Sequence, residues 1–396
     1  MQPARTRHLG KALLLAAAST AFGLGLAEIE VRALDVGPHI LALNHGIFRL
    51  SDDPRLRYEL APNATDGETT ISSAGLRDRE FSLAKPPGVF RIACIGDSIT
   101  FGFGLSAADS YPKRLENLLN ACCGATNRHY EVMNFGVPGY NLKEIAETLR
   151  SRVPKYEPDL VVYGYCLNDP QECSLEFLKL LAHLTQAGRE FVAPTKAHDF
   201  LMAHSRLWRL AVYAVQRSTA QGRIAGGGGQ SVLATADPEI DAIRHSETAA
   251  YFAELHAGDA GRQNLENSLD AMAAAASAEH VPVCVFVFPV LDHLDDYPLA
   301  DVHRQVVEAC RQRALHAFDL LESIRTFQHA ESGPAYLDAL HPAALADDFA
   351  AEIMLAQLVR DHLLPGVDSG DAMRRLYAAT ADDPQLERLK SCFRQP

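Results

Sequence analysis

The feature that most constrains this chain is a succession of short, almost purely apolar runs. Each is closed by a turn and separated from the next by a stretch with helical spacing. Val89-Phe90-Arg91-Ile92-Ala93-Cys94-Ile95 ends at Gly96. Tyr130 to Phe135 ends in Gly136-Val137-Pro138-Gly139, and Leu160-Val161-Val162-Tyr163 runs towards Cys166. Val281 to Phe288 is a fourth run, and Ala317-Phe318-Asp319 a weaker fifth. Runs of this length without polar alternation predict strands buried on both faces. From Tyr111, Leu115, Leu118 and Leu119 share one helical face, with Gly124 as a stop. Leu142 to Val153, Val302 to Ala314 and Ala343 to Leu363 also read as helices. Strands alternating with helices mean βαβ units, and hence an α/β domain on a central parallel sheet.

The rest of the chain is organised around that domain. Residues 35–88 show no long period and contain Ala61-Pro62-Asn63 and Lys85-Pro86-Pro87-Gly88, so they read as a lead-in segment. The α/β domain is expected over 89–365. A largely helical insertion interrupts it at 171–280, with four consecutive glycines between Ala225 and Gln230. Residues 366–396 are polar and read as a peripheral C-terminal tail. A composition of 47% hydrophobic and 22% charged residues supplies enough apolar surface for a core of this size.

The N-terminus reads as an address. Arg5, Arg7 and Lys11 precede an uncharged run from Ala12 to Ala27, and Glu28 and Glu30 follow at once. Basic, apolar, then acidic is the order of an export signal. As a helix this run rises only about 24 Å, short of a hydrocarbon core of ~30 Å. Residues 1–34 are therefore read either as a signal peptide cleaved after Gly25-Leu26-Ala27 or as a short membrane anchor. Both versions place the remainder outside the cytoplasm, periplasmic in a bacterium, and the second makes the membrane a partner.

Composition also excludes. Lys plus Arg total 37 against 50 Asp plus Glu, a net charge of -13, which argues against nucleic acid as a partner. Eight cysteines in 396 residues are too few for a disulfide scaffold. No C-x-x-C, His/Cys cluster or H-E-x-x-H is present, so neither a metal nor a cofactor is expected. Gly102-Phe103-Gly104 comes too late after its strand, and without a convincing downstream acid, to be a dinucleotide fingerprint. Cys94 and Cys284 are expected in the core. Cys122 and Cys123 are expected to be unpaired, one of them facing solvent.

Ligands of open α/β sheets bind beyond the carboxyl ends of the strands. There the sequence offers Gly96-Asp97-Ser98-Ile99, then Gly136-Val137-Pro138-Gly139, then Leu167-Asn168-Asp169. Near the C-terminus lies Asp338-Ala339-Leu340-His341-Pro342. A serine hydroxyl becomes a nucleophile when a neighbouring base takes its proton. Histidine is the side chain whose ordinary pKa suits that task at neutral pH. A carboxylate on its other nitrogen fixes the tautomer, and backbone N–H groups with an asparagine amide can hold an oxyanion.

These four blocks, in this order, resemble the SGNH/GDSL hydrolases. Gly96-Asp97-Ser98-Ile99 matches the first block, Gly139 the glycine of the second, Asn168 the asparagine of the third and Asp338-x-x-His341-Pro342 the last. The resemblance implies a flavodoxin-like three-layer α/β/α sandwich and ester hydrolysis through an acyl-enzyme. Ser98, Asp338 and His341 would form the catalytic triad, with an oxyanion hole from the Ser98 and Gly139 N–H groups and the Asn168 side chain. Ser73-Ala74-Gly75-Leu76-Arg77-Asp78 resembles a subgroup with an N-terminal membrane segment. Two positions depart from the family pattern: Gly164 lies four residues before Asn168, and Ala343 stands where an asparagine is common. The substrate would be a small-molecule, glycan or lipid ester. Two other functions fit the same blocks: acyl transfer to, or deacetylation of, a cell-envelope glycan, and a non-catalytic binding protein on a retired hydrolase fold.

Overall fold

The computed structural model describes residues 18–20, 22–33, 47–65, 69–124, 128–171, 201, 205–208, 211, 249–291, 294–328 and 340–379. The lead-in segment contributes a two-stranded antiparallel sheet, β1 (Phe48–Leu50) and β2 (Tyr58–Leu60). It is no loose extension, because Tyr58, Leu60, Ile71 and Leu76 join the main core. The α/β unit starts with β3 (Val89–Gly96), a single turn of helix α1 (Ser98–Phe101), α2 (Tyr111–Cys123) and β4 (His129–Asn134). It continues through α3 (Leu142–Ser151) and β5 (Leu160–Tyr165). After the insertion come α4 (Asp259–Glu279), β6 (Val283–Val287), α5 (Ala300–Arg311) and β7 (His316–Asp319). The described part ends in α6 (Leu321–Gln328), α7 (Ala344–Arg360) and α8 (Ser369–Ala379).

The five strands β3 to β7 pair in parallel in the order β4-β3-β5-β6-β7. Every residue of β5 and β6 is buried, so both sheet faces are covered and the architecture has three layers. The order is that of the flavodoxin-like doubly wound sheets, whose ligand crevice opens where the chain reverses direction across the sheet. Here that point is the carboxyl end of β3, flanked by the ends of β4 and β5.

Glycines let these strand ends crowd together. Gly96 pairs in register with Gly164, and the Thr100 hydroxyl and the Tyr111 phenol fill the space beside them. A Cβ on Gly164 would lie 2.7 Å from Tyr111 Oη and 2.9 Å from Thr100 Oγ1. The unusual distance from Gly164 to Asn168 follows from this: the glycine serves strand packing, and β5 runs on before turning. The turn is closed by the Asp169 N–H donating to the Cys166 carbonyl at 3.0 Å.

Three sequence expectations need correction. Residues 22–33 are helical, but among the described residues no helix is long and apolar enough to cross a membrane. The N-terminal hydrophobic helix is therefore not supported, since the described turns include Glu28, Glu30 and Arg32 beside Phe22, Leu24, Leu26 and Ile29. Residues 1–17 lie outside the described set, as does most of the 171–280 insertion. Cys122 and Cys123 are both buried and free, neither facing solvent, because α7 and α8 both pack on α2. The stretch from 366, expected to be peripheral, carries α8, whose Leu376 is fully buried.

Gly136 gives the sharpest steric constraint. A Cβ there would lie 2.6 Å from the Thr100 carbonyl carbon and closer still to the Phe101 nitrogen, both in the backbone of α1. Backbone cannot swing aside as a side chain can, so Gly136→Ala should destabilise the fold by about 1–3 kcal/mol through overpacking. Urea unfolding measures this, and an unchanged midpoint would show that α1 has room to move.

Candidate active site

Ser98 opens α1 immediately beyond β3. Asp97 caps that turn: it is fully buried, and its Oδ1 accepts the Ile99 N–H at 2.9 Å. The turn ends at Gly102, in the left-handed region at φ 79°, as a helix stop of this kind requires. Ser98 is half-buried, and its Oγ lies 2.8 Å from His341 Nε2. These residues are 243 positions apart in the chain. The Ser98 hydroxyl is also 3.4 Å from Asp97 Oδ2, a longer and weaker contact. The face of His341 is set by Phe103, whose ring centroid lies 4.8 Å away at a tilt of 40°.

Gly139 and Asn168 follow the two strands that flank β3. Gly139 has φ 78°, which a glycine adopts without strain. Its loop is pinned from outside the α/β unit: Tyr58 Oη donates to the Pro138 carbonyl at 2.7 Å, and Tyr140 Oη returns to the Tyr58 carbonyl at 2.6 Å. Neither Ser98 nor Gly139 donates its backbone N–H to another described residue. The Asn168 side chain hydrogen-bonds to Asp97, while its Oδ1 is buried and accepts no hydrogen bond from the described residues. Asp338 lies outside the described residues. Among the described residues no group of acidic, histidine or cysteine side chains could hold a metal.

Two buried carboxyls shape the electrostatics. Burial raises the Asp97 pKa, opposed by the Ile99 N–H, the His341 charge and the Asn168 and Ser98 hydrogen bonds. Asp169 is pushed well above the ordinary aspartate range, first by burial and then by the Asp97 charge. Its Oδ2 accepts the Tyr163 hydroxyl at 2.5 Å and the Cys166 N–H at 3.0 Å, and these bonds act in the opposite direction. Two carboxylates that share a water-poor site cannot both ionise cheaply.

A hydroxyl held against an imidazole, with backbone donors and an amide at adjacent strand ends, is equipped for acyl transfer. Comparison with known proteins agrees. The model of the GDSL-like lipase/acylhydrolase family matches residues 94–347. This chain belongs to that family. It is accordingly an ester hydrolase of the GDSL type.

Solved structures similar to this GDSL hydrolase include TesA, at 14% identity over 69% of this chain and 99% of that one, with a TM-score of 0.38. A catalytic mutant of Axe2, an acetylxylan esterase from Geobacillus stearothermophilus, shows 13% identity over 68% and 94%, with a TM-score of 0.38. The lipase/acylhydrolase from Enterococcus faecalis shows 13% identity over 68% and 95%, with a TM-score of 0.35. No curated protein matches the sequence.

Sequence reasoning overlooked the parts of this site that do no chemistry. Phe103 lies between two glycines whose spacing carries no signal for packing on a distant histidine. Asp97 lies in the Gly96-Asp97-Ser98-Ile99 block, where nothing in the sequence marks it as a helix cap. Tyr58 had no signal beyond being an aromatic residue near a turn.

The raised pKa of Asp169 sets a direction for stability. The folded protein holds that proton more tightly than the unfolded chain, so stability falls as pH rises above the ordinary aspartate range towards the folded value. Asp169→Asn keeps an acceptor for Tyr163 and Cys166 and carries no titrating proton. Urea unfolding between about pH 5 and pH 9 should show a shallower decline for Asp169→Asn than for wild type. Parallel declines would mean that Asp169 is ionised in the folded protein.

Proposed function

We propose that Ser98 is the nucleophile of a serine esterase and His341 its general base. The 2.8 Å contact between Ser98 Oγ and His341 Nε2 carries this reading. As the hydroxyl attacks an ester carbonyl, the imidazole takes its proton and then delivers it to the leaving alcohol. The carbonyl oxygen gains charge, and the Ser98 and Gly139 N–H groups with the Asn168 amide stabilise it. Asp338 is assigned the orienting role on the other imidazole nitrogen, on the strength of its place in the last sequence block. Water, activated by the same imidazole, then releases the acyl group.

Phe103 supports this assignment. An aromatic ring on one face of His341 limits imidazole rotation, so little freedom remains to be lost in the transition state. Ser98→Ala and His341→Ala should each lower turnover of a chromogenic ester by roughly 10³-fold or more. Asn168→Ala should cost roughly 10²–10³-fold, the usual loss of one oxyanion donor. Retained turnover in Ser98→Ala would remove the assignment.

The same proposal sets the enzyme outside the cytoplasm, either anchored by its N-terminus or released by cleavage of it. Its support is the basic, apolar and acidic order of residues 1–30 together with the exposed Phe22, Leu24, Leu26 and Ile29. Cell fractionation followed by mass spectrometry of the N-terminus tests it. Recovery with membranes, or export with a trimmed N-terminus, is expected. An intact Met1 in the soluble cytosolic fraction would contradict it.

A further inference from the structure

Arg77 belongs to the lead-in segment, ahead of the residues that the family model matches. It is only 1% exposed, an unusual place for a guanidinium. Its Nη1 donates to the Phe101 carbonyl at 2.8 Å and the Gly102 carbonyl at 2.7 Å, and its Nη2 to the Leu105 carbonyl at 2.6 Å. The guanidinium carbon also lies 4.6 Å over the Phe101 ring. Carbonyls at the end of a helical turn lack partners within the helix. A planar fork of donors can span three of them at once, which a lysine ammonium on its flexible stem cannot.

The clamped turn joins the two reacting side chains. At its start, the Gly102 and Phe103 N–H groups return to the Ser98 carbonyl at 3.1 Å and 2.9 Å. In its middle, Phe103 packs on the His341 ring. A shift of this turn therefore moves the hydroxyl and the imidazole relative to one another.

We propose that Arg77 is a positioning residue for ester hydrolysis: it locks the 101–105 turn so that Phe103 holds the His341 imidazole against Ser98 Oγ. The proposal rests on Ser98 and His341 acting as nucleophile and base. It gives the lead-in segment a part in the active site, alongside Tyr58 on the Gly139 loop.

The test uses full-length wild type, Arg77→Lys, Arg77→Gln, Phe103→Ala, and Phe103→Ala combined with each Arg77 substitution. The rate of ester hydrolysis is divided by the sites titrated with a fluorophosphonate, each reaction followed until labelling is complete because a freed imidazole also slows labelling, so loss of folded protein does not count as loss of catalysis. Two Arg77 substitutions are included so that poor folding of one leaves the other. Each single substitution should lower kcat per site about tenfold or more and leave KM within about twofold. A double variant should fall little below the worse single one, because both changes free the same imidazole. Wild-type kcat per site in an Arg77 variant, even with a lowered Tm, would overturn the proposal, as would losses that multiply fully in the double variant. A wild type that neither labels nor hydrolyses esters would overturn the esterase reading itself, and this proposal with it.

Discussion

The 2.8 Å contact between Ser98 Oγ and His341 Nε2 is the interaction on which the rest of this molecule depends. Neither residue is reactive alone at neutral pH, and a separation of 243 positions gives them no local reason to meet. The sheet order supplies that reason. With β3 between β4 and β5, three successive strand ends open on one crevice. Ser98, Gly139 and Asn168 follow those strands, and the chain returns through His341 into α7. The close fit is bought with side chains that are absent: Gly96, Gly136 and Gly164 leave no space for a Cβ.

Burial makes the site electrostatically tense. Asp97 is enclosed so that it can cap α1 and hold Asn168, and Asp169 is enclosed beside it. Each carboxyl is opposed by desolvation, and they oppose one another. Hydrogen bonds from Ile99, Tyr163 and Cys166 offset part of this. A buried charged or polar network of this kind tends to hold a geometry more than it adds stability. Here the geometry held is that of the turn opening at Ser98 and of the Asn168 side chain.

Much of this was legible in the sequence, for identifiable physical reasons. Strands buried on both faces write themselves as unbroken apolar runs, so β3 to β6 were readable to within a few residues. The strand-end blocks were readable because ligand chemistry in such folds gathers there. What escaped depends on contacts between distant segments. The lead-in segment looks like connecting loop because Tyr58 and Arg77 stabilise it through hydrogen bonds to carbonyls, which leave no periodic trace. The burial of Cys122 and Cys123 required knowing that α7 and α8 cover α2. The N-terminal run reads as an apolar segment with Glu28 and Glu30 as its acidic flank, whereas the helix over 22–33 carries both of them within its turns.

The central claim is that the hydroxyl of Ser98 is activated by the imidazole of His341. Peptide mass spectrometry after reaction with a fluorophosphonate tests it most directly. The account predicts one adduct, on the peptide carrying Ser98, formed far more slowly when His341 is replaced by alanine. An adduct on another residue, or equal labelling of Ser98 without the imidazole, would contradict it.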